Sequence, residues 1–360
     1  MNNVSNIISN KENNYNPAKV IILTGFFGSG KTTLIKNLTN DKQIHSSELA
    51  IIQNEFSSEM GIESDMLTDG EGKSLGNLIE MPSGCMCCVV RDNTVLFLQK
   101  LLKTKPNIKY IIIECHGMAE VDKIIKRFWV DDSLELGLTY YKTLCLVDAY
   151  NYEKSKKEHF DIFNHQIVSS DIILLNKIDL IEKCTEYIKI KHQIKKELLI
   201  LNPLCEILES KFSELDIKSL FFDQYNNINI DEKLDKIKEL KQLNIENTST
   251  CSDHYYKNEN IEYIIIKLKS ANSDDIEKST GLLLWDLSEK LNFNVIRLKG
   301  IIKQEDGKVY SLQGIYDTYE IIESNFNQKC TETKESKILI IGKNITKNKK
   351  EIQLIYENLK

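Results

Sequence analysis

Short β-branched apolar runs recur along the first half of the chain: KVIILTG from Lys19, LAIIQNEF from Leu49, YIIIE from Tyr110, TLCLVDA from Thr143 and DIILLNK from Asp171. Their cores are apolar at consecutive positions rather than alternate ones, which predicts strands buried on both faces. The segments between them are long enough for helices. Strands alternating with helical stretches predict an α/β fold, with a mostly parallel, doubly wound sheet between two helical layers. From 206 the pattern changes: KLDKIKELKQL reads as a charged surface helix and NIENTSTCSD as a linker. Beyond it, IEYIIIKL, NVIRLKGII, VYSLQGIY and KILIIG predict strands, and KKEIQLIYENL a closing helix. A further helix between the first two strands carries Ile276, Leu283, Leu284, Leu287 and Leu291 on one face. The expected organisation is a tail over 1–17, a main α/β domain over 18–205, a helical and linker region over 206–253, and a smaller α/β domain over 254–360.

Composition narrows the class. A chain of 360 residues, 28% charged and 41% hydrophobic, is ordinary for a globular protein and long enough for two cores. No apolar run reaches the length of a membrane span, and MNNVSNIISNKENNYNP lacks the basic and apolar blocks of a signal peptide. The expected compartment is the cytosol, with the nucleus as a second place left open. Nine cysteines, an odd number and mostly isolated, do not form a secreted disulfide framework and are expected reduced. The net charge of −6 argues against a general polyanion binder, so neither nucleic acid nor a membrane is an expected partner.

Gly25-Phe26-Phe27-Gly28-Ser29-Gly30-Lys31-Thr32 fits G-x-x-x-x-G-K-[ST], directly after a predicted strand and directly before the helix that Lys31, Thr32 and Thr33 open. A chance glycine turn would seldom sit in that context. Backbone N–H groups of the loop and the helix N-terminus suit phosphates. Lys31 would reach the β- and γ-phosphates, and the Thr32 hydroxyl would ligate Mg²⁺. Asn176-Lys177-Ile178-Asp179 follows the strand DIILL. A carboxylate at 179 can accept from guanine N1–H and the exocyclic amine together, which selects GTP. YIIIECHG supplies a strand ending in Glu114, a candidate Mg²⁺ holder through water, and then Gly117, whose N–H would contact the γ-phosphate. Met118 follows and cannot orient an attacking water, so slow intrinsic hydrolysis is expected.

SGCMCC places Cys85, Cys87 and Cys88 within four positions. As a redox pair, Cys85 and Cys88 would leave Cys87 surplus. As buried hydrophobes, three thiols behind Pro82, Ser83 and Gly84 are poorly placed; Cys115 and Cys145, in or beside strands, suit that role better. Thiolates at i, i+2 and i+3 can converge on one soft cation, Zn²⁺ or Cu⁺. No second pair closes a four-thiolate shell, and an incomplete shell suits transfer. The cluster lies between the phosphate loop and Glu114, where GTPases carry segments that respond to the nucleotide, so metal and nucleotide are expected to be coupled.

GFFGSGKTT, the NEF of QNEF, Glu80 to Cys88 as E-x-x-x-G-C-x-C-C, ECHG, HQIVSSDIILLNKIDL, RLKGII and LQGIY together resemble the CobW family of metallochaperone GTPases, from about residue 19 to the C-terminus. RFWVDDSLELG and LLLWDL resemble its eukaryotic zinc-regulated branch. The resemblance implies a P-loop GTPase domain followed by a CobW-type C-terminal domain, and GTP hydrolysis coupled to zinc delivery from Cys85, Cys87 and Cys88. It also implies client metalloproteins, among them a methionine aminopeptidase. The chain departs from the family in five places, one of them Glu120, which follows Ala119 where proline is frequent. Ser57 and Ser58 follow NEF where Gly and Glu are usual, leaving Glu55, Glu59 and Glu80 as carboxylates that can take the missing ligand's place. His116 stands for Thr or Ser, and a hydrogen-bonded histidine there is expected rather than a metal ligand. The Cys-Pro docking motif of the zinc branch is absent from residues 1–18, which weakens the aminopeptidase as client. The family's histidine-rich stretch is reduced to His254. Two other functions fit the same residues: a zinc buffer or sensor with a regulatory GTP site, and a GTPase of this family that delivers cobalt or nickel.

Overall fold

A computed structural model describes residues 17–41, 43, 45–53, 78–80, 93–130, 137–216, 220–221, 261–268, 272–323 and 335–357. Glu55, the cysteines at 85, 87 and 88, His254, the tail before 17 and the expected surface helix and linker lie outside the described residues. In chain order the first unit comprises β1 (Ala18–Gly25), α1 (Lys31–Asn40), β2 (Leu49–Gln53), β3 (Leu78–Glu80), α2 (Asn93–Thr104), β4 (Tyr110–Glu114), α3 (Val121–Val130) and β5 (Leu138–Asp148). It continues with α4 (Tyr152–Glu158), α5 (Phe160–Val168), β6 (Ile172–Asn176), α6 (Ile178–Ile181), α7 (Tyr187–Leu201) and β7 (Glu206–Glu209).

The seven strands pair in the order β3-β2-β4-β1-β5-β6-β7, every pair parallel. This is the doubly wound sheet the apolar runs predict. Alternate residues of β1 divide between two cores: Ile21 and Leu23 pack with Leu34, Ile35 and Leu38 of α1, while Val20 packs with Leu98 and Leu101 of α2 on the other face. Burying each such side chain contributes about 1.5–3 kcal/mol, which is why these strands tolerate no polar alternation.

The sheet extends past residue 205. β7 lies in the stretch that the sequence pattern assigns to the linker region, because EILE is short, charged at both ends and only partly buried at the sheet edge. Leu220 and Phe221 also join the core beneath α1.

The second unit comprises β8 (Ile261–Leu268), α8 (Ser273–Gly281) with a π-helical turn Leu282–Leu287 and one more turn Ser288–Lys290, β9 (Asn294–Lys303), β10 (Val309–Ile315), β11 (Thr318–Glu323), β12 (Ser336–Lys343) and α9 (Lys349–Glu357). Its five-stranded antiparallel sheet has the order β11-β10-β9-β12-β8. β11 has no counterpart among the predicted strands. Its hairpin turns at Tyr316 (φ +53°) and Asp317, without the Asn-Gly or Gly pair that marks such turns in a sequence.

The two sheets share an interface. Val168 and Leu204 pack against Ile296, Leu339 and Ile341. Arg297 donates to Val168 O at 2.8 Å and to Asp171 Oδ1 at 2.5 Å, and Lys299 binds the same carboxylate oxygen. Among the described residues no helix is long and apolar enough to cross a membrane.

Candidate functional site

Because every strand of the first sheet runs the same way, their C-terminal ends share one edge. Gly25, Gln53, Glu80, Glu114, Asp148 and Asn176 all end strands there. Loops leaving such an edge build the ligand sites of open α/β sheets.

The loop from Gly25 to Gly30 turns back over this edge. Gly30 (φ +110°) is the N-cap of α1, and a Cβ on it would come 2.4 Å from both Asn176 Nδ2 and Ser213 Oγ. Both the dihedral and the space therefore demand glycine. Lys31 is 8% exposed, and its ammonium donates to Gly25 O at 2.7 Å and Phe26 O at 3.3 Å, which holds the positive charge across the mouth of the loop. Ser29 Oγ is buried without a hydrogen-bond partner and faces Gly25, where a Cβ would come within 2.9 Å of it. Thr32 is half-buried and Thr33 exposed in the first turn of α1, whose leading N–H groups have no acceptor within the helix. The two phenylalanines are set by rings: Phe26 lies 4.5 Å from His159, and Phe27 meets His116 edge-on at 4.7 Å.

Asn176 locks the NKID loop to the 25–30 loop. Its Nδ2 donates to Ser29 O and Ser213 Oγ, each at 2.8 Å, and its Oδ1 accepts from Ser213 N at 2.9 Å. Ser213 Oγ donates in turn to Gly30 O at 3.0 Å. Lys177 adopts φ +61°, caps α6, and donates to Asp148 Oδ2 at 2.8 Å. Asp148 also accepts from Tyr150 N, Asn151 N and Asn151 Nδ2. Asp179 stands half-buried in the first turn of α6, near the exposed Lys211. Ser213 and Asp148 are site residues that the sequence reading does not single out. Asp148 carried a signal, a carboxylate closing an apolar strand; Ser213 carried none, because its role depends on a contact across 37 residues.

Glu114 is in register with Leu23 of β1 and Gln53 of β2, and Gln53 is in register with Glu80 of β3. Gly117 is buried against the phosphate loop, since a Cβ there would lie 2.8 Å from Phe27 N. His116 accepts from Met118 N at 3.4 Å. Burial and the charge of Lys31 lower its basicity. Thr32 and Glu114 present oxygen donors, a set that fits Mg²⁺. Burial pushes the thiols of Cys115 and Cys145 up to about 12, in keeping with a packing role. Among the described residues no three His, Cys, Asp or Glu side chains gather as a metal set.

Residues 19–202 match the nucleotide-binding domain of CobW/HypB/UreG, and residues 279–355 match the C-terminal domain of the cobalamin synthesis protein cobW. The chain is 28% identical over 359 residues to zinc-regulated GTPase metalloprotein activator 1 of Schizosaccharomyces pombe, covering 94% of this chain and 85% of that protein. To the Saccharomyces cerevisiae protein of the same name it is 26% identical over 370 residues, covering 91% and 80%. The crystal structure of the Zn(II)-bound YjiA GTPase from E. coli shares the fold with a TM-score of 0.61 at 22% identity, covering 96% of this chain and 99% of that one. With both domain matches in one order along the sequence, the chain belongs to the CobW/HypB/UreG nucleotide-binding family and carries a CobW C-terminal domain.

Proposed function

We propose that this protein is a GTPase that carries Zn²⁺ on the thiolates of Cys85, Cys87 and Cys88 and releases it to a client metalloprotein as its nucleotide state changes. The observation that carries the coupling is topological. β3 ends at Glu80 on the same sheet edge as the phosphate loop, two strand spacings from Glu114, or about 10 Å. Cys85 follows Glu80 by five positions, a reach of at most about 18 Å. A short covalent tether therefore links the three cysteines to a strand that ends on that edge. The named relatives, zinc-regulated GTPase activators, support the metal and the nucleotide.

In the nucleotide site, Asp179 accepts from the guanine edge, and Asn176 holds the base loop against Ser29 and Gly30. Lys31 exchanges its loop carbonyls for phosphate oxygens, and the N-terminus of α1 adds its partial positive charge. Mg²⁺, held by the Thr32 hydroxyl and through water by Glu114, would neutralise charge on the phosphates. Gly117 N–H contacts the γ-phosphate, and Met118 supplies nothing to orient water, so turnover is slow until a metal or partner assists. Glu55 and Glu80 are the carboxylates proposed to complete the zinc shell. The client is a metalloprotein that takes zinc; a methionine aminopeptidase is one candidate.

A competitive zinc titration on the full chain, with GDP and with a non-hydrolysable GTP analogue, tests this. Different zinc affinities in the two states are expected, and a Cys87→Ser variant should lose the tight site. Equal affinities would remove the coupling and leave a zinc buffer with a separate GTP site. Metal analysis of protein purified without chelators decides between zinc and cobalt or nickel, which the thiolates also accept.

A further inference from the structure

Gly117 is gripped from two sides. The phosphate loop closes over it at Phe27, and its carbonyl accepts a buried hydrogen bond from Gln166 Nε2 of α5 at 3.0 Å. Displacing Gly117 either breaks that buried bond or moves α5. The chain also runs from Gly117 directly into α3. Both helices end on the same feature of the second sheet, the β10–β11 hairpin tip Ile315–Thr318. From α5, His165 Nδ1 pairs with Tyr316 OH at 2.7 Å, with the two rings stacked. From α3, Val121, Ile124 and Ile125 pack around Ile315, and Lys126 binds Asp317 at 2.6 Å. Trp285 Nε1 donates to Asp317 O at 2.8 Å, which ties the tip back to the π-helical turn of its own domain.

The rest of the interface is of a different kind. Arg297, Lys299 and Asp171 form a buried charged group, 4%, 15% and 13% exposed, that does not involve Gly117. Lys126 and Asp317 are 41% and 58% exposed. A buried ion pair is costly to break, and an exposed one yields easily. The interface thus has a fixed point at Asp171 and a yielding point at the hairpin tip.

We propose that the β10–β11 hairpin tip reads the nucleotide state. Movement of Gly117 when the γ-phosphate is lost passes through Gln166 and α3 to Tyr316 and Asp317, and the C-terminal sheet shifts about its anchor at Asp171. This rests on the proposed contact between Gly117 and the γ-phosphate.

Hydrogen exchange read by mass spectrometry on the full chain with Mg²⁺, comparing GDP with a non-hydrolysable GTP analogue, tests it. Exchange at 115–120 and at 310–323 is expected to differ between the two nucleotides. In a Tyr316→Phe, Lys126→Ala double variant the difference at 310–323 is expected to disappear while that at 115–120 persists. The fold of that variant is checked by its melting temperature and by unchanged protection of 25–33. A difference at 115–120 without one at 310–323 in the natural chain overturns the proposal and leaves the γ-phosphate contact standing. No difference at 115–120, with 25–33 protected by both nucleotides, overturns that contact and the proposal with it. A difference at 310–323 that survives in the double variant also overturns it, since the route would then lie elsewhere.

Discussion

At the scale of single residues, the site is a set of short, buried distances around two side chains. Asn176, 1% exposed, satisfies its amide on three partners from two other loops. In the proposed nucleotide site its role is to fix where the Asp179 carboxylate stands relative to the 25–30 loop. Asp179 is the proposed reader of the base. Two hydrogen bonds to a charged acceptor are each worth about 1.5–3 kcal/mol, so Asp179→Asn is expected to weaken GTP binding by about 10²- to 10⁴-fold. It should also improve binding of xanthosine triphosphate, whose edge matches an amide. Isothermal titration with both nucleotides measures this, and unchanged GTP affinity would move the base contact away from Asp179. The NKID pattern was legible because it sits on four consecutive residues. Ser213 was not, since nothing near it in sequence says that it closes on Gly30.

Among the elements, burial sorts the cysteines. Cys145 lies within β5 and Cys115 directly follows β4, both 1% exposed, whereas Cys184 is exposed. A thiol raised to about 12 from 9.0 holds about a thousandfold less thiolate at mildly alkaline pH, and thiolate is the reacting form. Alkylation mapped by mass spectrometry on the folded chain is expected to label Cys184 and spare Cys115 and Cys145. Rapid labelling of either strand cysteine would contradict its packing. The doubly buried strands β1, β2, β4, β5 and β6 were legible because consecutive apolar residues leave no other element of that length. β7 and β11 were not. Both are edge strands, partly exposed, with side chains that satisfy water as well as a core, so their sequences lack the contrast that marks a buried strand.

On the scale of the whole molecule, the two sheets are joined through Asp171. Burial would raise its carboxyl, but Lys299 and Arg297 outweigh burial and hold it well below the ordinary carboxylate range. A carboxylate depressed in the folded state contributes stability above the unfolded value of about 3.9, and that contribution is lost as pH falls through the lower folded value. Asp171→Asn leaves two buried cations without their partner and is expected to cost about 3–5 kcal/mol. Urea unfolding at neutral pH measures the loss, and the variant should lose less stability than the natural chain on acidification below pH ~4. Equal urea midpoints would mean that water already reaches Asp171. By itself the sequence determined the doubly buried strands β1, β2, β4, β5 and β6, the G-x-x-x-x-G-K-[ST] and NKID patterns at their ends, and the two-domain plan, because each is written in neighbouring residues or in their period. Only the tertiary structure decided which strand ends share an edge, that Glu80 and Glu114 reach it together, and that the second sheet rests on Asp171, α3 and α5. Those facts depend on pairing between distant segments, and the interactions that set the pairing are spread over many side chains with no local signature.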